Sequence, residues 1–217
     1  MEAARRHGVD TVLYASGSGV YGDIGEHEAD EDFGPLVPVS TYAASKLAGE
    51  ALLSAYAYMF GFRALAFRFG NVVGPRQTHG VGFDFVRRLR RDRDHLEVLG
   101  DGRQSKSYVH VDDVVRGVLH ANSVSSGPFE VFNLATGDYI TVTDIAELAI
   151  ECLGFDRESV EVRYTGGDRG WKGDVPIVRL SSAKLEDTGW RCERSSAEAL
   201  RAAIESMIAD DEAGRFD

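Results

Sequence analysis

The chain has 217 residues, 43% of them hydrophobic, and a formal net charge of -11, which allows a substantial core in one or two domains. The acidic surplus argues against a nucleic-acid or anionic-membrane surface, and no apolar run approaches the length of a membrane span. Cys152 and Cys192 stand alone, without the spacing of a zinc site or a disulfide scaffold, so the sequence predicts a soluble protein of the reducing cytoplasm with no metal.

Residues 1–8 read as the end of a helix leading into an apolar strand over 11–15. A Ser/Gly turn follows, Ser16-Gly17-Ser18-Gly19-Val20-Tyr21-Gly22. Gly17, Gly19 and Gly22 fit the spacing G-x-G-x-x-G, but a dinucleotide fingerprint needs a helix next, and 23–35 is an acidic loop broken by Gly and Pro. Over 41–58, Leu47, Ala48, Ala51, Leu52, Ala55 and Tyr56 recur at helical spacing, with Ser40 as N-cap and Gly61 just past the end. Tyr42 and Lys46 sit at i and i+4 on one face of that helix, where the ammonium favours the ionised phenol. A Tyr so placed can take a proton from a sugar or alcohol hydroxyl.

A buried parallel strand is expected over 63–69, then a short helix over 83–91 with a basic outer face, a strand over 96–99 and an extended piece over 108–111. Asp112 is the expected cap of a helix reaching about residue 121, and 129–134 is the next strand. Thr141 and Asp144 open a helix carrying Ile145, Leu148, Ala149 and Leu153, closed by Gly154. A strand over 160–164, a Gly-rich loop and two short helices from Ser182 and Ser195 complete the chain. Alternating strands and helices predict an α/β fold.

The strand, Ser/Gly turn, acidic loop and Tyr helix, in that order, resemble the extended short-chain dehydrogenase/reductases, specifically the NAD-dependent nucleotide-sugar epimerases and dehydratases. The resemblance continues through 68–77, Leu99-Gly100-Asp101-Gly102, 108–113, 132–137 and Gly173-Asp174-Val175-Pro176. It implies a Rossmann-type parallel sheet, formed by 1–75 and 107–136, with a small discontinuous substrate-binding lobe formed by 76–106 and 137–217. Such proteins open with a Gly-rich β/α segment that holds the cofactor pyrophosphate. Nothing in this sequence plays that part, and about 100 residues of it would precede a chain that starts in mid-domain.

By the same resemblance, Tyr42, Lys46, Ser16 and Ser18 are the catalytic candidates, and Tyr42, Lys46 and Ser16 also face NAD. Asn71, Arg76, Lys106 and Arg169 are the candidates for the phosphates and sugar of a nucleotide-sugar substrate, with a UDP-sugar and a homodimer implied. The sequence departs from the pattern in two places. The usual Ser or Thr of the turn falls on Gly17, and the usual Arg before the Tyr-Val-His-Val-Asp motif is Lys106, which offers a point charge in place of a bidentate fork. The dehydratases carry Asp-Glu where this chain has Ser18-Gly19, which disfavours dehydration. Trp171 is open to lining the nucleotide site but reads first as a buried or lobe-interface residue, and His110 and Asp112 read as structural. The leading function is 4-epimerisation through a transient 4-keto sugar. A nucleotide-sugar reductase or dehydrogenase and an inactive subunit that binds nucleotide-sugar or a partner chain stay open.

Overall fold

The computed structural model describes residues 1–215. Its strands are β1 (Thr11–Gly17), β2 (Glu28–Ala29), β3 (Arg63–Phe69), β4 (Asn71–Val73), β5 (His95–Val98), β6 (Ser105–Lys106), β7 (Tyr108–His110), β8 (Phe129–Leu134), β9 (Ile140–Thr141), β10 (Glu161–Tyr164) and β11 (Arg179–Leu180). Its helices are α1 (Glu2–Arg6), α2 (Thr41–Phe60), α3 (Val81–Arg91), α4 (Val111–Val124), α5 (Val142–Cys152), α6 (Ala183–Glu186) and α7 (Ser196–Glu212). Among the described residues, no helix is long and apolar enough to cross a membrane.

The organising sheet is parallel, in the order β1-β3-β8. Successive side chains of β3 point to opposite faces, so Ala64 packs with Leu53 and Ala57 of α2, while Leu65 and Phe67 join Val114 and Ala121 of α4 on the other face. A strand covered on both sides must be apolar throughout, as 64–67 is. β1 lies at the edge, paired with β3 alone among the described strands, and Leu13 in its middle is exposed.

Parallel pairs β4–β7 and β5–β10 carry the chain into a second apolar cluster, where α3, α5 and α7 bury Phe85, Leu89, Ile145, Ile150, Leu200 and Ile204 against Leu96 and Val98. β6 pairs antiparallel with β9, and β2 pairs parallel with β11, giving a short strand inside the run read as loop.

The local signals explain the helix ends. Ser40 Oγ accepts the Ala43 N–H at 3.2 Å, and α2 stops at Gly61, whose φ of 74° lies in the left-handed region that favours glycine. Thr141 with Asp144, and Ser195 with Glu198, form reciprocal capping boxes. Two expectations are corrected. The cap of α4 is His110, whose Nδ1 accepts the Asp112 N–H at 3.2 Å, because an unprotonated imidazole nitrogen can serve as a cap acceptor. The last helix is not short: α7 runs 17 residues, since the second apolar cluster buries one full side of it.

Candidate active site

The carboxyl ends of β1 and β3 open onto a cleft of about 560 Å³, the place where open α/β sheets bind ligands. One wall comprises the Ser/Gly turn, Tyr42, Phe69 and Gly70. Facing it are the first turns of α3, Leu99, Lys106, Tyr108 and the segment from Gly170 to Asp174.

Tyr42 stands in the first turn of α2, 65% exposed at the cleft. Lys46 lies one turn further, its Nζ 5.4 Å from the centre of the Tyr42 ring and equally far from that of Tyr14. The same ammonium donates to the Ala15 carbonyl oxygen at 2.8 Å. It is thus held between strand and phenol, with its charge available to an oxyanion at Tyr42.

The two serines separate. Ser18 lines the cleft at the start of a one-turn 3₁₀ helix, Ser18–Tyr21. Ser16 borders the cleft too, but it is 4% exposed and its hydroxyl donates to Glu50 Oε1 at 2.5 Å. That commits the Ser16 proton to a carboxylate and removes Ser16 as a relay to substrate. Between them, Gly17 has an extended backbone, and a Cβ there would meet nothing within 4 Å. The wall therefore leaves open space at the position where a hydroxyl was expected.

At the other end, Lys106 Nζ contacts Asp174 Oδ1 at 2.5 Å, and the Gly170 N–H donates to Asp174 Oδ2 at 3.1 Å. Arg169 donates to the Asp174 carbonyl oxygen and to Asp23 Oδ2, each at 2.5 Å. The loop over 166–174 is therefore clasped from both sides, with Gly166 and Gly167 at φ of 82° and 84°, a region that favours glycine. Gly170, Trp171 and Asp174 line the cleft, and Arg169 is not among the lining residues. Trp171 is 60% exposed, which excludes the buried reading and leaves the ring at the cleft. Burial, aided by the charge of Asp174, pushes the Tyr108 phenol far above its ordinary value and keeps it protonated.

Asn71 lines the cleft, with its side-chain amide donating to the Ser107 carbonyl at 3.4 Å. Arg76 is not brought in. It is exposed, with a left-handed φ of 61°, and lies outside the lining residues, although Val73 before it and Gln77 after it both line the cleft.

Three groups at the site carried no role in the sequence reading. Asp174 was visible only as part of a Gly-Asp-Val-Pro motif. Gln104 is 3% exposed and lines the cleft, and its Oε1 has no hydrogen-bond partner. Glu50 lies in the stripe of α2 that packs on the sheet, where a salt bridge to Arg68 at 2.8 Å holds it.

Residues 1–135 match the NAD dependent epimerase/dehydratase family. A putative UDP-glucose 4-epimerase of Methanocaldococcus jannaschii is 28% identical over 95% of this chain and 66% of its own length. A solved UDP-galactose 4-epimerase superposes with a TM-score of 0.86 at 40% identity, covering 96% of this chain and 66% of that one. The Thermus thermophilus UDP-glucose 4-epimerase, solved in complex with NAD, gives a TM-score of 0.81 at 31% identity, covering 95% of this chain and 67% of that one. The chain thus spans about two thirds of the length of these proteins.

Proposed function

The chain belongs to the NAD dependent epimerase/dehydratase family, and from that premise we propose that it carries the proton-transfer and substrate-binding part of a UDP-sugar 4-epimerase. The observation that carries this reading is a single cleft lined by both Tyr42, backed by Lys46, and Lys106, with Arg169 bonded to Asp174 just behind the lining. A proton-transfer group and an anion-binding pair are what a nucleotide-sugar needs at its two ends. Relatives described as UDP-glucose 4-epimerases, and one solved with NAD, support the same assignment.

The residues present fit one end of NAD and not the other. Gly17 leaves open space in the wall beside β1, and Lys46 offers a cation there, which suits the nicotinamide ribose. A pyrophosphate wants the N-terminus of a full helix. Among the described residues, β1 leads instead into a single 3₁₀ turn and then a run containing Asp23, Glu26, Glu28 and Asp30. Tyr42, Lys46 and the Ser/Gly turn would hold the nicotinamide end. When bound, NAD supplies the hydride acceptor and donor.

The chain's own residues then do the following. The Tyr42 phenolic oxygen takes the proton of the sugar C4 hydroxyl and returns it after the keto sugar has presented its other face. Lys46 stabilises the phenolate by charge. Ser18 orients the sugar oxygen, Asn71, Lys106 and Arg169 hold the diphosphate, and Trp171 screens the cleft from water. This reading places the cofactor sheet at 1–75 and 107–136, the substrate lobe at 76–106 and 137–217, and a homodimer in the cytoplasm.

Product analysis with UDP-galactose and NAD tests the proposal. Interconversion with UDP-glucose and no net NADH supports it. Stoichiometric NADH formation would make the protein a dehydrogenase, and UDP-sugar binding without turnover, even with a Gly-rich β/α segment fused ahead of residue 1, would leave a binding subunit.

A further inference from the structure

The helix that carries Tyr42 and Lys46 gives one position of its buried stripe to a charge. Ala43, Leu53 and Ala57 are the small and apolar residues that a face packed on a sheet calls for, yet Glu50 stands among them, 4% exposed. A buried ion pair is seldom more stabilising than well-packed apolar side chains of the same volume. The geometry around Glu50 points to a positional role instead.

Glu50 is one turn beyond Lys46 and two beyond Tyr42, on the same side of α2. Lys46 donates to the Ala15 carbonyl at 2.8 Å, and the next residue of β1, Ser16, donates its hydroxyl to Glu50 at 2.5 Å. Two successive turns of the helix therefore grip two successive residues of the strand. Arg68, directly across from Ser16 in the β1–β3 register, supplies the clamp. Its Nε lies 3.1 and 3.2 Å from the two carboxylate oxygens of Glu50, and its Nη2 lies 2.8 Å from Oε2. Arg68 Nη1 donates to the Tyr21 hydroxyl at 3.0 Å, and that hydroxyl lies 2.8 Å from Asn133 Oδ1 on β8. The network ties α2 to all three strands of the sheet beneath the Ser/Gly turn.

We infer that Glu50, clamped by Arg68, is a positioning residue that fixes α2 on β1 and so sets where the Tyr42 phenol stands over the cleft. The importance of that place rests on the proposed role of Tyr42. A one-residue slip of a helix moves it by about 1.5 Å and turns it by about 100°, and the small residues Ala43 and Ala57 offer little resistance to lesser shifts. The links to Ala15 and Ser16 do resist, because each is made to a single atom. A misplacement of about 1 Å at a reacting group is enough to cost roughly 10²-fold in rate.

The test uses the 217-residue chain labelled with 3-fluorotyrosine, with the Tyr42 signal assigned as the one lost in Tyr42→Phe. Glu50→Met combined with Arg68→Met removes both charges together, so neither is left bare. The expected result is a folded protein of undiminished thermal midpoint whose Tyr42 resonance shifts and broadens while that of Tyr58, at the far end of the same helix, does not. Ser16→Ala cuts only the link to the strand and is expected to move the Tyr42 resonance in the same sense by less. An unchanged Tyr42 resonance in the folded double variant overturns the inference. Should the double variant not fold, an unchanged resonance in Ser16→Ala overturns it. The spectrum needs neither substrate nor cofactor, so it stands apart from the role of Tyr42, which turnover by Tyr42→Phe decides on its own.

Discussion

The two walls of the cleft are held by charges of opposite character. Beneath the Ser/Gly turn, the Arg68 and Glu50 side chains are each 5% exposed, and a hydrogen-bonded network uses most of their polar atoms. Across the cleft, the loop over 166–174 is fastened by Arg169 to Asp23, with side chains 37% and 34% exposed. Removing one partner of a buried pair strands a charge in low dielectric, whereas an exposed pair is screened by water and salt and contributes little. The first wall is therefore built to stay in place, as proton transfer at Tyr42 demands. The second is mixed: its outer fastening, Arg169 to Asp23, is exposed and can be exchanged for an anionic ligand, while Lys106 holds the buried Asp174 at 2.5 Å.

The largest effect is expected at the chemistry that the fixed wall serves. In a protein with a Gly-rich β/α segment fused ahead of residue 1, Tyr42→Phe lowers kcat by roughly 10²–10⁴-fold while the Kd for UDP-sugar stays near its starting value. Near-full turnover would remove Tyr42 as the base. Next comes stability. Glu50→Ala leaves Arg68 unpaired and destabilises by about 3–5 kcal/mol, whereas Asp23→Asn, across the cleft, costs about 1 kcal/mol or less. Urea melts giving equal losses for the two variants would erase the distinction between the walls.

Smaller effects belong to ligand capture. Arg169→Ala raises the calorimetric Kd for UDP about tenfold through loss of a charge-assisted contact, and Lys106→Arg lowers it by offering a fork to the diphosphate. Asp23→Asn frees Arg169 and tightens UDP more at low salt than at high salt. Weakening by Asp23→Asn would show that the ion pair builds the site and does not compete with it. The 217-residue chain alone is expected to bind NAD weakly, because no full helix N-terminus follows β1, and tight stoichiometric binding in a calorimeter would contradict that.

Outside both walls, a further effect is a loss of stability at alkaline pH. Burial pushes the Cys192 thiol up to about 12, against about 8.5 in an unfolded chain. The folded state therefore keeps the neutral thiol while the unfolded chain ionises. This contribution is intact below about pH 8.5 and is lost as pH rises towards 12. Melts of the Cys192→Ala variant from pH 8 to 11 should show a flatter decline.

What the sequence disclosed and what it hid divide along the same line. The Tyr42 and Lys46 pair, the Ser40 and Gly61 ends of α2 and the apolar run of β3 were legible because each is a local pattern of spacing or of turn chemistry. Glu50 was not, since a lone acid on a helix reads as a solvated face until a strand brings Ser16 and Arg68 against it. Partners 146 residues apart, as Asp23 and Arg169 are, leave no trace in spacing. Arg76 was carried over from a motif, and the structure leaves it exposed beside the cleft and not among its lining residues. For Trp171 the sequence left a buried, a lobe-interface and a site-lining place open, and the structure puts the exposed ring in the lining of the cleft.

The unpaired side of β1 has a practical consequence for handling this protein. A parallel strand with its outer amides and carbonyls unclaimed by any other described strand, and with Leu13 open to solvent, is a seam along which copies can stick to one another. The net charge of -11 opposes such contact only while salt leaves it unscreened. Raising the salt during purification should therefore increase light scattering, and Leu13→Lys in the middle of the seam should lower it without touching the cleft.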